Sequence, residues 1–328
     1  MNKILITGGS GFIGSHAVDR FLDLNYHVVN LDLLTYAANL KNNFFAKKNP
    51  NYTFIRGDIK DSKFLHQLFE KYKFKKVIHF AAESHVDNSI KDPFNFVETN
   101  VIGSLNLLEV CKVNWKKNFT DKFFYHISTD EVFGSLNETE KSWKEKSPYE
   151  PRSPYSASKA SSDHFVRAFF HTYGLPIKIS NCSNNYGPRQ HKEKLIPLII
   201  NNIIHKKQLP IYGDGRNIRD WLYVDDHIDA IDMIFHKGKI GETYNIGGES
   251  EIRNIDLIKN IIFKIDKKLN RENGFSESLI SYVNDRLGHD YRYSIDILKI
   301  KNELGWKPKT SIDYGIEKTI DWYIKDLE

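Results

Sequence analysis

A glycine-rich segment near the N-terminus, TGGSGFIG at residues 7–14, is the feature that most constrains how this chain can fold. A strand-like apolar stretch at residues 3–7 precedes it, and a helix-like pattern over residues 12–24 follows it. Because glycine has no Cβ, the backbone can approach a pyrophosphate closely, and the free N–H groups of the following helix can bind it. The segment therefore predicts a dinucleotide-binding turn rather than a merely tight one. The glycines of this prediction are Gly8, Gly11 and Gly14.

Strand-like and helix-like segments alternate through the first half of the chain. Such alternation is typical of an α/β fold with a doubly wound parallel sheet, the Rossmann arrangement, in which helices cover both faces of the sheet. The predicted strands cover residues 3–7, 27–31, 53–56, 76–80, 123–128 and 177–181, and the predicted helices cover residues 12–24, 62–72, 95–113 and 155–173.

The sequence changes in character after residue 182. Gly, Pro and Asn cluster at residues 184–190 and 212–217, the elements become shorter, and the strict alternation ends. We therefore predict an NAD-binding Rossmann domain with the catalytic residues over residues 1–182. Residues 183–328 are predicted to form mainly a smaller substrate-binding lobe, with some segments returning to the first domain.

Composition excludes several classes of protein. The net charge is +5 over 328 residues, but Lys alternates with Asp and Glu, which is typical of a solvated surface rather than of a nucleic-acid-binding patch. The modest positive excess favours a small anionic ligand. Cys111 and Cys182 stand in no C-x-x-C or Cys/His cluster, so neither a metal site nor a disulfide is predicted. The apolar runs suit neither a signal peptide nor a membrane span of about 20 residues, so we expect a cytoplasmic protein without a membrane partner.

Two acidic residues at predicted strand ends suggest how a dinucleotide is held. Asp32 ends the second strand, where a carboxylate accepts hydrogen bonds from ribose hydroxyls and repels a 2′-phosphate. No Arg stands beside it, which favours NAD over NADP. Asp58 follows the third strand and can accept from the adenine amine, although a simple helix cap is an alternative role for it.

Tyr155 and Lys159 form a Y-x-x-x-K pair on a predicted helix. At this spacing both side chains lie on one helix face, and a neighbouring ammonium lowers the pKa of a phenol from about 10 toward neutral pH. Tyr155 is then predicted to remove a hydroxyl proton while a hydride leaves for the nicotinamide.

The segment STDE at residues 128–131 ends the fifth predicted strand, where open parallel sheets bind ligands. Ser128 or Thr129 can hydrogen-bond a reacting sugar oxygen. Hydride transfer alone does not need the adjacent Asp130 and Glu131, but dehydration needs one carboxylate as a base and one carboxylic acid. The alternative is a turn whose acidic residues only cap a helix.

These residues together resemble the dTDP-glucose 4,6-dehydratases, a family of extended short-chain dehydrogenases. TDE followed by Y-x-x-x-K separates that family from the related epimerases, and the similarity runs over nearly the whole chain. The segments that carry it are TGGSGFIGS (7–15), LTYAAN (34–39), FAAESHVDNSI (80–90), STDEVFG (128–134), SPYSASKASSDH (153–164), NCSNNYGP (181–188), EKLIP (193–197), PIYGDG (210–215), RDWLYVDDH (219–227), YNIGG (244–248) and DRLGHDYRYSID (285–296).

The resemblance implies a reaction and a role for each catalytic residue. Tyr155 would be the base for oxidation at the sugar 4-hydroxyl, assisted by Thr129 and Lys159. Glu131 would remove the C5 proton, and Asp130 would protonate the departing 6-hydroxyl. Return of the hydride to C6 would give the 4-keto-6-deoxy sugar and regenerate NAD, so the enzyme would be a hydro-lyase on the route to deoxysugars such as rhamnose.

The resemblance also implies contact residues and an assembly. Two arginines would bind the diphosphate, since guanidinium forks match phosphate oxygens. A homodimer would form through the helices predicted at residues 95–113 and 155–173. The implied NAD contacts are Phe12, Ile13, Asp32, Leu33, Leu34, Thr35, Asp58, Ile59, Phe80, Ala81, Ala82, Ser84, Thr99 and Asn185, with Tyr155 and Lys159. The implied substrate contacts are Ser84, Thr129, Asn184, Lys194, Leu195, Pro210, Ile211, Tyr212, Arg219, Asn254, Arg286 and His289.

The chain departs from the family pattern at four positions. Phe133 replaces Tyr, which removes a hydroxyl expected near the acid–base pair, and Leu287 replaces a Pro that would stiffen its loop. Lys192 replaces Pro, and Ala38 replaces Gly. A UDP-glucose 4,6-dehydratase, a UDP-hexose 4-epimerase and a non-catalytic NAD-binding protein are the alternative functions.

Overall fold

The computed structural model describes residues 3–116 and 118–327, in which α-helices and β-strands are joined by loops and short 3-10 helices. The strands are β1 (Lys3–Thr7), β2 (His27–Asp32), β3 (Tyr52–Arg56), β4 (Lys76–His79), β5 (Phe123–Thr129), β6 (Ile177–Cys182), β7 (Asn184–Tyr186), β8 (Leu209–Tyr212), β9 (Ile218–Tyr223), β10 (Thr243–Ile246), β11 (Glu251–Arg253) and β12 (Ile280–Val283). The helices are α1 (Phe12–Asp23), α2 (Ser62–Tyr72), α3 (Val86–Lys91), α4 (Pro93–Phe96), α5 (Gly103–Trp115), α6 (Pro154–Tyr173), α7 (Leu195–Ile204), α8 (Val224–Lys237), α9 (Asn254–Lys268), α10 (Leu298–Leu304) and α11 (Ile312–Leu327).

A seven-stranded parallel sheet in the order β10-β6-β5-β4-β1-β2-β3 forms the centre of the molecule. Successive side chains of a strand point to opposite faces, so Ile4 and Ile6 pack on α1 and α8, whereas Leu5 packs on α2 and α5. Both faces are apolar because helices cover both. The predicted α/β fold with a doubly wound parallel sheet is confirmed.

The second half of the chain builds a smaller group of elements and also contributes to the central sheet. β11-β9-β7 and β12-β8 form two small sheets, and α7, α9 and α11 pack around an isoleucine-rich core. β10 pairs with β6 at the edge of the large sheet, and α8 packs on α1. The domain division at residue 182 stays a prediction. No helix in residues 3–116 or 118–327 is long and apolar enough to cross a membrane.

The helix predicted over residues 95–113 differs from the structure in one respect. The helical stretch begins at α4 and contains a wide π turn, Val97–Ile102, before α5. Inside that turn the Asn100 amide accepts a hydrogen bond from Glu83 N at 2.8 Å and donates to Glu83 O at 3.0 Å and to Ser158 Oγ at 2.8 Å. These bonds tie the loop after β4 to α6 through the widened turn, and π turns are frequent at functional sites.

The glycine turn after β1 is close-packed at two of its three predicted glycines. Gly8 has φ +73°, and a Cβ there would lie 2.7 Å from Ala81 N. A Cβ on Gly14 would lie 2.2 Å from Gly8 O, so the start of α1 packs directly on the turn. A Cβ on Gly11 would meet only Gly8 O, at 3.4 Å, which is an ordinary contact. Gly8 and Gly14 are therefore required by packing, whereas Gly11 leaves room for a ligand.

We expect Gly14→Ala to destabilise the protein by about 1–3 kcal/mol, because the added methyl overlaps backbone that cannot move without shifting α1. Gly11→Ala is the matched control and should lower the free energy of unfolding by about 1 kcal/mol or less, since its methyl meets nothing closer than 3.4 Å and only the N-cap position of α1 disfavours Ala. Urea unfolding followed by circular dichroism measures both. Equal stability of the two variants would contradict the packing argument.

Candidate active site

A cavity of about 350 Å³ lies where the carboxyl ends of β1, β2, β4, β5 and β6 meet. Open parallel sheets bind ligands at this edge, because the loops after the strands leave a crevice there. Its wall includes the glycine turn and the segment between β7 and α7. All but one of the predicted cofactor positions line this cavity. They are Gly8, Gly11, Phe12, Ile13, Gly14, Asp32, Leu33, Thr35, Asp58, Ile59, Phe80, Ala81, Ala82, Ser84, Thr99, Tyr155, Lys159 and Asn185.

Leu34 is the exception, and its side chain is not part of the cavity wall. Its backbone is left-handed (φ 62°), and its N–H donates to Asp32 Oδ1 at 2.8 Å. Ser10 N donates to Asp32 Oδ2 at 2.9 Å. Burial raises the Asp32 pKa, and these two backbone hydrogen bonds oppose that rise. Leu34 thus fixes the Asp32 carboxylate at the end of β2 through its main chain, and each carboxylate oxygen keeps a lone pair for a ligand hydroxyl.

Asp58 is not the cap of the next helix. Its Oδ1 accepts from Lys60 N at 2.9 Å, and α2 is capped by Asp61, whose carboxylate accepts from Phe64 N. Asp58 lies on the cavity wall. The capping role considered for Asp58 is therefore filled by Asp61.

Tyr155 and Lys159 both face the cavity, but their protonation differs from the prediction. The Lys159 ammonium donates to Ile127 O at 2.8 Å. The pKa of the Tyr155 phenol lies well above its ordinary value of 10, chiefly because of burial and secondly because of the negative charge of Glu131, while a hydrogen bond with Thr129 lowers it. The predicted lowering of this pKa by Lys159 is wrong for the protein alone, since burial dominates and the ammonium group is directed at a main-chain carbonyl.

Thr129 organises the turn that follows β5. Its hydroxyl accepts from Glu131 N at 3.3 Å and is 3.3 Å from Asp130 Oδ1, to which it donates. The capping residue is thus Thr129. Asp130 and Glu131 line the cavity instead of capping, so the alternative of a merely capped turn does not account for them.

The two carboxyl groups lie in different electrostatic surroundings. Burial and the negative charge of Glu131 raise the Asp130 pKa well above its ordinary value, and Asp130 Oδ2 has no hydrogen-bond partner among the described residues. Burial also raises the Glu131 pKa, but the cationic side chains of Arg286 and Lys194 oppose that rise. Asp130 is thereby suited to be the acid of the pair and Glu131 the base.

The predicted substrate positions fall into two groups. Ser84, Thr129, Asn184 and Lys194 line the cavity, and Lys194 Nζ donates to Ser84 O at 2.9 Å. The others lie outside the cavity wall, and several of them contact each other. Arg286 lies 3.7 Å from Asp87 and 5.8 Å from the ring centre of Tyr212, and His289 packs edge-on against that ring. The members of this second group are Leu195, Pro210, Ile211, Tyr212, Arg219, Asn254, Arg286 and His289.

The arginines predicted for a diphosphate are held differently. Arg219 is buried and donates to the main-chain oxygens of Ile218, Tyr291 and Asp290 at 2.7–3.2 Å. Arg286 is half-buried and pairs with Asp87. The positive charges of both arginines act on Glu131, because both oppose the rise of its pKa. Diphosphate binding by these arginines stays a prediction.

The four departures from the family pattern lie away from the reacting groups or at the edge of the cavity. Phe133 is fully buried and packs on Trp143 and Tyr149 rather than on the cavity. Leu287 is 78% exposed, and Lys192 is exposed. Ala38 lies on the cavity wall.

Several cavity residues were not identified from the sequence. No sequence motif pointed to His191, and Glu193 stood only within the segment EKLIP. In the structure His191 packs edge-on against Tyr36. No group of three or more His, Cys, Asp or Glu side chains in the described residues is placed to hold a metal ion. The missed wall residues are Leu31, Ala37, Gly57, Lys60, Glu83, Asn95, Ile127, Cys182, Ser183, Gln190, His191 and Glu193.

Known proteins resemble this chain over its full length. Residues 5–319 match the family model described as GDP-mannose 4,6 dehydratase. A dTDP-glucose 4,6-dehydratase of Xanthomonas campestris pv. campestris (strain B100) is 50% identical over 325 residues, which cover 98% of this chain and 92% of the relative.

Two solved structures, a dehydratase and an epimerase, have nearly the same fold as this chain but differ in sequence identity to it. DesIV, the dTDP-glucose 4,6-dehydratase of Streptomyces venezuelae solved with NAD bound, has a TM-score of 0.90 and 42% identity, over 99% of this chain and 97% of its own. A UDP-glucose 4-epimerase of Thermotoga maritima has a TM-score of 0.87 but 29% identity, over 99% and 100% of the two chains. Dehydratases and epimerases share the fold, and the higher identity is with the dehydratase.

We expect Asp130→Asn to stabilise the protein increasingly as the pH rises from 5 to 8. The raised Asp130 pKa means that the folded state holds a proton that the unfolded state has already lost, so wild-type stability falls as the pH rises through that pKa. Asparagine does not titrate, and each pKa unit corresponds to about 1.4 kcal/mol. Thermal unfolding across this pH range measures the difference. A difference that does not vary with pH would contradict a raised pKa at Asp130.

Proposed function

Because the chain belongs to the dTDP-glucose 4,6-dehydratase family, we propose that it is a hydro-lyase that converts dTDP-glucose into the dTDP-4-keto-6-deoxy sugar with NAD as its cofactor. The observation that carries the proposal is the cavity in which Asp130 and Glu131 share a wall with Tyr155 and Lys159. Tyr155 and Lys159 serve the oxidation, and Asp130 and Glu131 serve the elimination. Because all four line one cavity, oxidation, elimination and reduction can follow one another without release of an intermediate.

The cavity fits the cofactor. The glycine turn offers backbone N–H groups at the start of α1, and Gly11 leaves room above it for a pyrophosphate. Asp32 is held at the end of β2 with free lone pairs for ribose hydroxyls, and the segment that follows it, residues 33–39, contains no Arg that would donate to a 2′-phosphate. When bound there, NAD would supply the hydride acceptor for the oxidation at C4 and the hydride donor for the reduction at C6.

Tyr155 takes the proton of the 4-hydroxyl in the oxidation half of the reaction. Burial holds its pKa high in the protein alone, so the phenol is a poor base until positive charge enters the cavity. A cation beside the phenol favours the tyrosinate, and the oxidised nicotinamide would supply such a charge.

Asp130 and Glu131 perform the elimination half. A ketone at C4 makes the C5 proton acidic, and Glu131, with cationic Arg286 and Lys194 nearby, accepts it. Asp130, whose pKa is raised by burial and by Glu131, holds the proton that the 6-hydroxyl needs to depart as water. An epimerase needs no such acid–base pair, which favours a dehydratase over a UDP-hexose 4-epimerase or a non-catalytic NAD-binding protein.

A homodimer is part of the proposal. Large apolar side chains are exposed on the stretch from α4 to α5 and on α6, the helices predicted to pair two copies. Their exposed fractions are 79% for Phe94, 47% for Val97, 44% for Ile102 and 39% for Phe165. Exposed apolar side chains on adjacent helices are typical of a protein–protein interface.

The direct test offers the purified protein dTDP-glucose and UDP-glucose in parallel. We expect the alkali-induced absorbance of a 4-keto-6-deoxy sugar with dTDP-glucose. Reaction with UDP-glucose alone would identify the UDP-glucose 4,6-dehydratase, and formation of a galactose epimer without that absorbance would identify an epimerase.

Three isosteric variants separate the two halves of the reaction. Tyr155→Phe should bind NAD but lose about 10²–10⁴-fold in turnover, because the oxidation lacks its general base. Asp130→Asn and Glu131→Gln should still form NADH in a single turnover but stall before product. Exchange of the C5 proton in deuterated water should fall more in Glu131→Gln than in Asp130→Asn. Loss of NADH formation in all three variants alike would show that the carboxyl groups position the substrate instead.

A further inference from the structure

Helix α6 carries four polar side chains at intervals of four residues, Tyr155, Lys159, Asp163 and Arg167. Residues at this spacing occupy neighbouring turns of one helix face. The first two line the cavity, whereas Asp163 lies outside the cavity wall and is fully buried. A buried carboxylate one turn beyond the Lys159 ammonium is not used by the mechanism described above.

Asp163 is an ionised and well-bonded carboxylate. Its Oδ2 accepts from Tyr149 Oη at 2.8 Å and from Asn181 Nδ2 at 3.3 Å, and its Oδ1 lies 3.2 Å from His126 Nε2. Although burial acts to raise the Asp163 pKa, its hydrogen bond with His126 and the surrounding positive charges lower it to about 2. Asp163 is therefore negatively charged throughout the physiological pH range.

His126 is neutral, so its Nε2 atom can either donate to Asp163 or accept from Lys159. Burial lowers its pKa to about 4, so at neutral pH one ring nitrogen carries a proton. Nε2 lies 3.2 Å from Asp163 Oδ1 and 3.4 Å from Lys159 Nζ. An unpaired oxygen on a buried carboxylate costs more than an unpaired neutral nitrogen, so we assign the proton to Nε2, which donates to Asp163.

Lys159 depends on Asp163 for its charge. Burial lowers the Lys159 pKa, and the negative charge of Asp163 is the largest effect that opposes this. With His126 donating to Asp163, the Lys159 ammonium keeps Ile127 O, at 2.8 Å, as its fixed acceptor, and its other hydrogens are free for the cavity. The titratable groups packed around this pair are His79 on β4, His126 on β5, Cys182 on β6, Tyr149 in the segment before α6, and Tyr155 and Arg167 on α6.

We propose that Asp163 is a positioning residue of the active site: one helical turn from Lys159 and on the other side of His126, it is the buried counter-ion that keeps Lys159 protonated, so that the ammonium group stays on Ile127 O at the cavity wall. A buried ammonium without a counter-ion would release its proton or leave its site. Asn181 donates both to Asp163 Oδ2 and to Thr129 O, the latter at 3.0 Å. The Asp163 carboxylate is thus linked through Asn181 to the strand end that carries Thr129. Asp163 thus supports the residues of both half-reactions without touching the substrate.

Thermal unfolding of four proteins tests the charge pairing without any substrate: wild type, Asp163→Asn, Lys159→Met and the double variant. Asp163→Asn should lower the Tm by several degrees, because it leaves the Lys159 charge uncompensated. The loss should shrink as the pH rises from 7 to 10, since the folded pKa of Lys159 falls further below its unfolded value of about 10.4 and the variant regains stability as that proton leaves. Adding Lys159→Met should restore the Tm at pH 7, because both buried charges are then absent.

Asp266→Asn is the matched control. Asp266 is also a buried helical carboxylate, 1% exposed, and accepts from Ser276 N at 2.9 Å, but it lies outside the cavity wall on α9. Asp266→Asn should destabilise without the pH dependence above, and Lys159→Met should not rescue it. If Asp163→Asn fails to fold alone, a folded double variant supports the proposal. A double variant that is no more stable than Asp163→Asn overturns it.

The kinetic arm rests on the proposed function, whereas the unfolding arm does not. In Asp163→Asn the alkaline limb of the kcat profile should move down by about one pH unit or more, the shift that loss of a close opposite charge produces. KM should change less than about twofold, because Asp163 touches no substrate. An alkaline limb at the wild-type position would overturn the proposal, while absence of turnover in the wild type would instead contradict the proposed function.

Discussion

The parallel pairing of β5 between β4 and β6 is the constraint on which the active site depends. Its register places His126 beside His79 and Thr129 beside Cys182, so all three strands end at the same edge of the sheet. The chain therefore turns immediately after Thr129, and the Thr129 hydroxyl binds the main chain of that turn. This hydrogen bond leaves Asp130 and Glu131 free of capping and directs them to the cavity, where α6 presents Tyr155 from the neighbouring layer.

Burial without full pairing gives the site its reactivity. Asp163 accepts two hydrogen bonds through Oδ2 and lies among positively charged groups that lower its pKa, whereas Asp130, which is also buried, lies beside the negative charge of Glu131, which raises its pKa. The two residues are the same amino acid at similar depth, so the difference comes from the donors and charges around them. A stable counter-ion and a proton donor are obtained from one residue type by changing only its neighbours.

Local sequence patterns predicted most of the fold and of the cofactor wall. The glycine turn, Asp32 and the Y-x-x-x-K spacing are local, because each depends on residues within a turn or a strand. Contacts between distant segments could not be predicted in this way. In the π turn Asn100 bonds to Glu83 and Ser158, and the pKa expectation for Tyr155 was wrong chiefly because the phenol is buried, which depends on how distant segments pack. Residue spacing in a helix predicts which face a side chain lies on, but not which acceptor its terminal group bonds.

The edge strand of the central sheet, β10, comes from late in the chain and pairs with β6. During synthesis the outer edge of β6 therefore stays open while roughly sixty further residues leave the ribosome, and an open edge can pair with another chain. Lys178, on this strand, donates to Ile234 O and Phe235 O at the end of α8, so its ammonium also lacks these acceptors until that helix has formed. The nascent first half therefore has an unpaired strand edge, of the kind that favours aggregation, until α8 and β10 have docked.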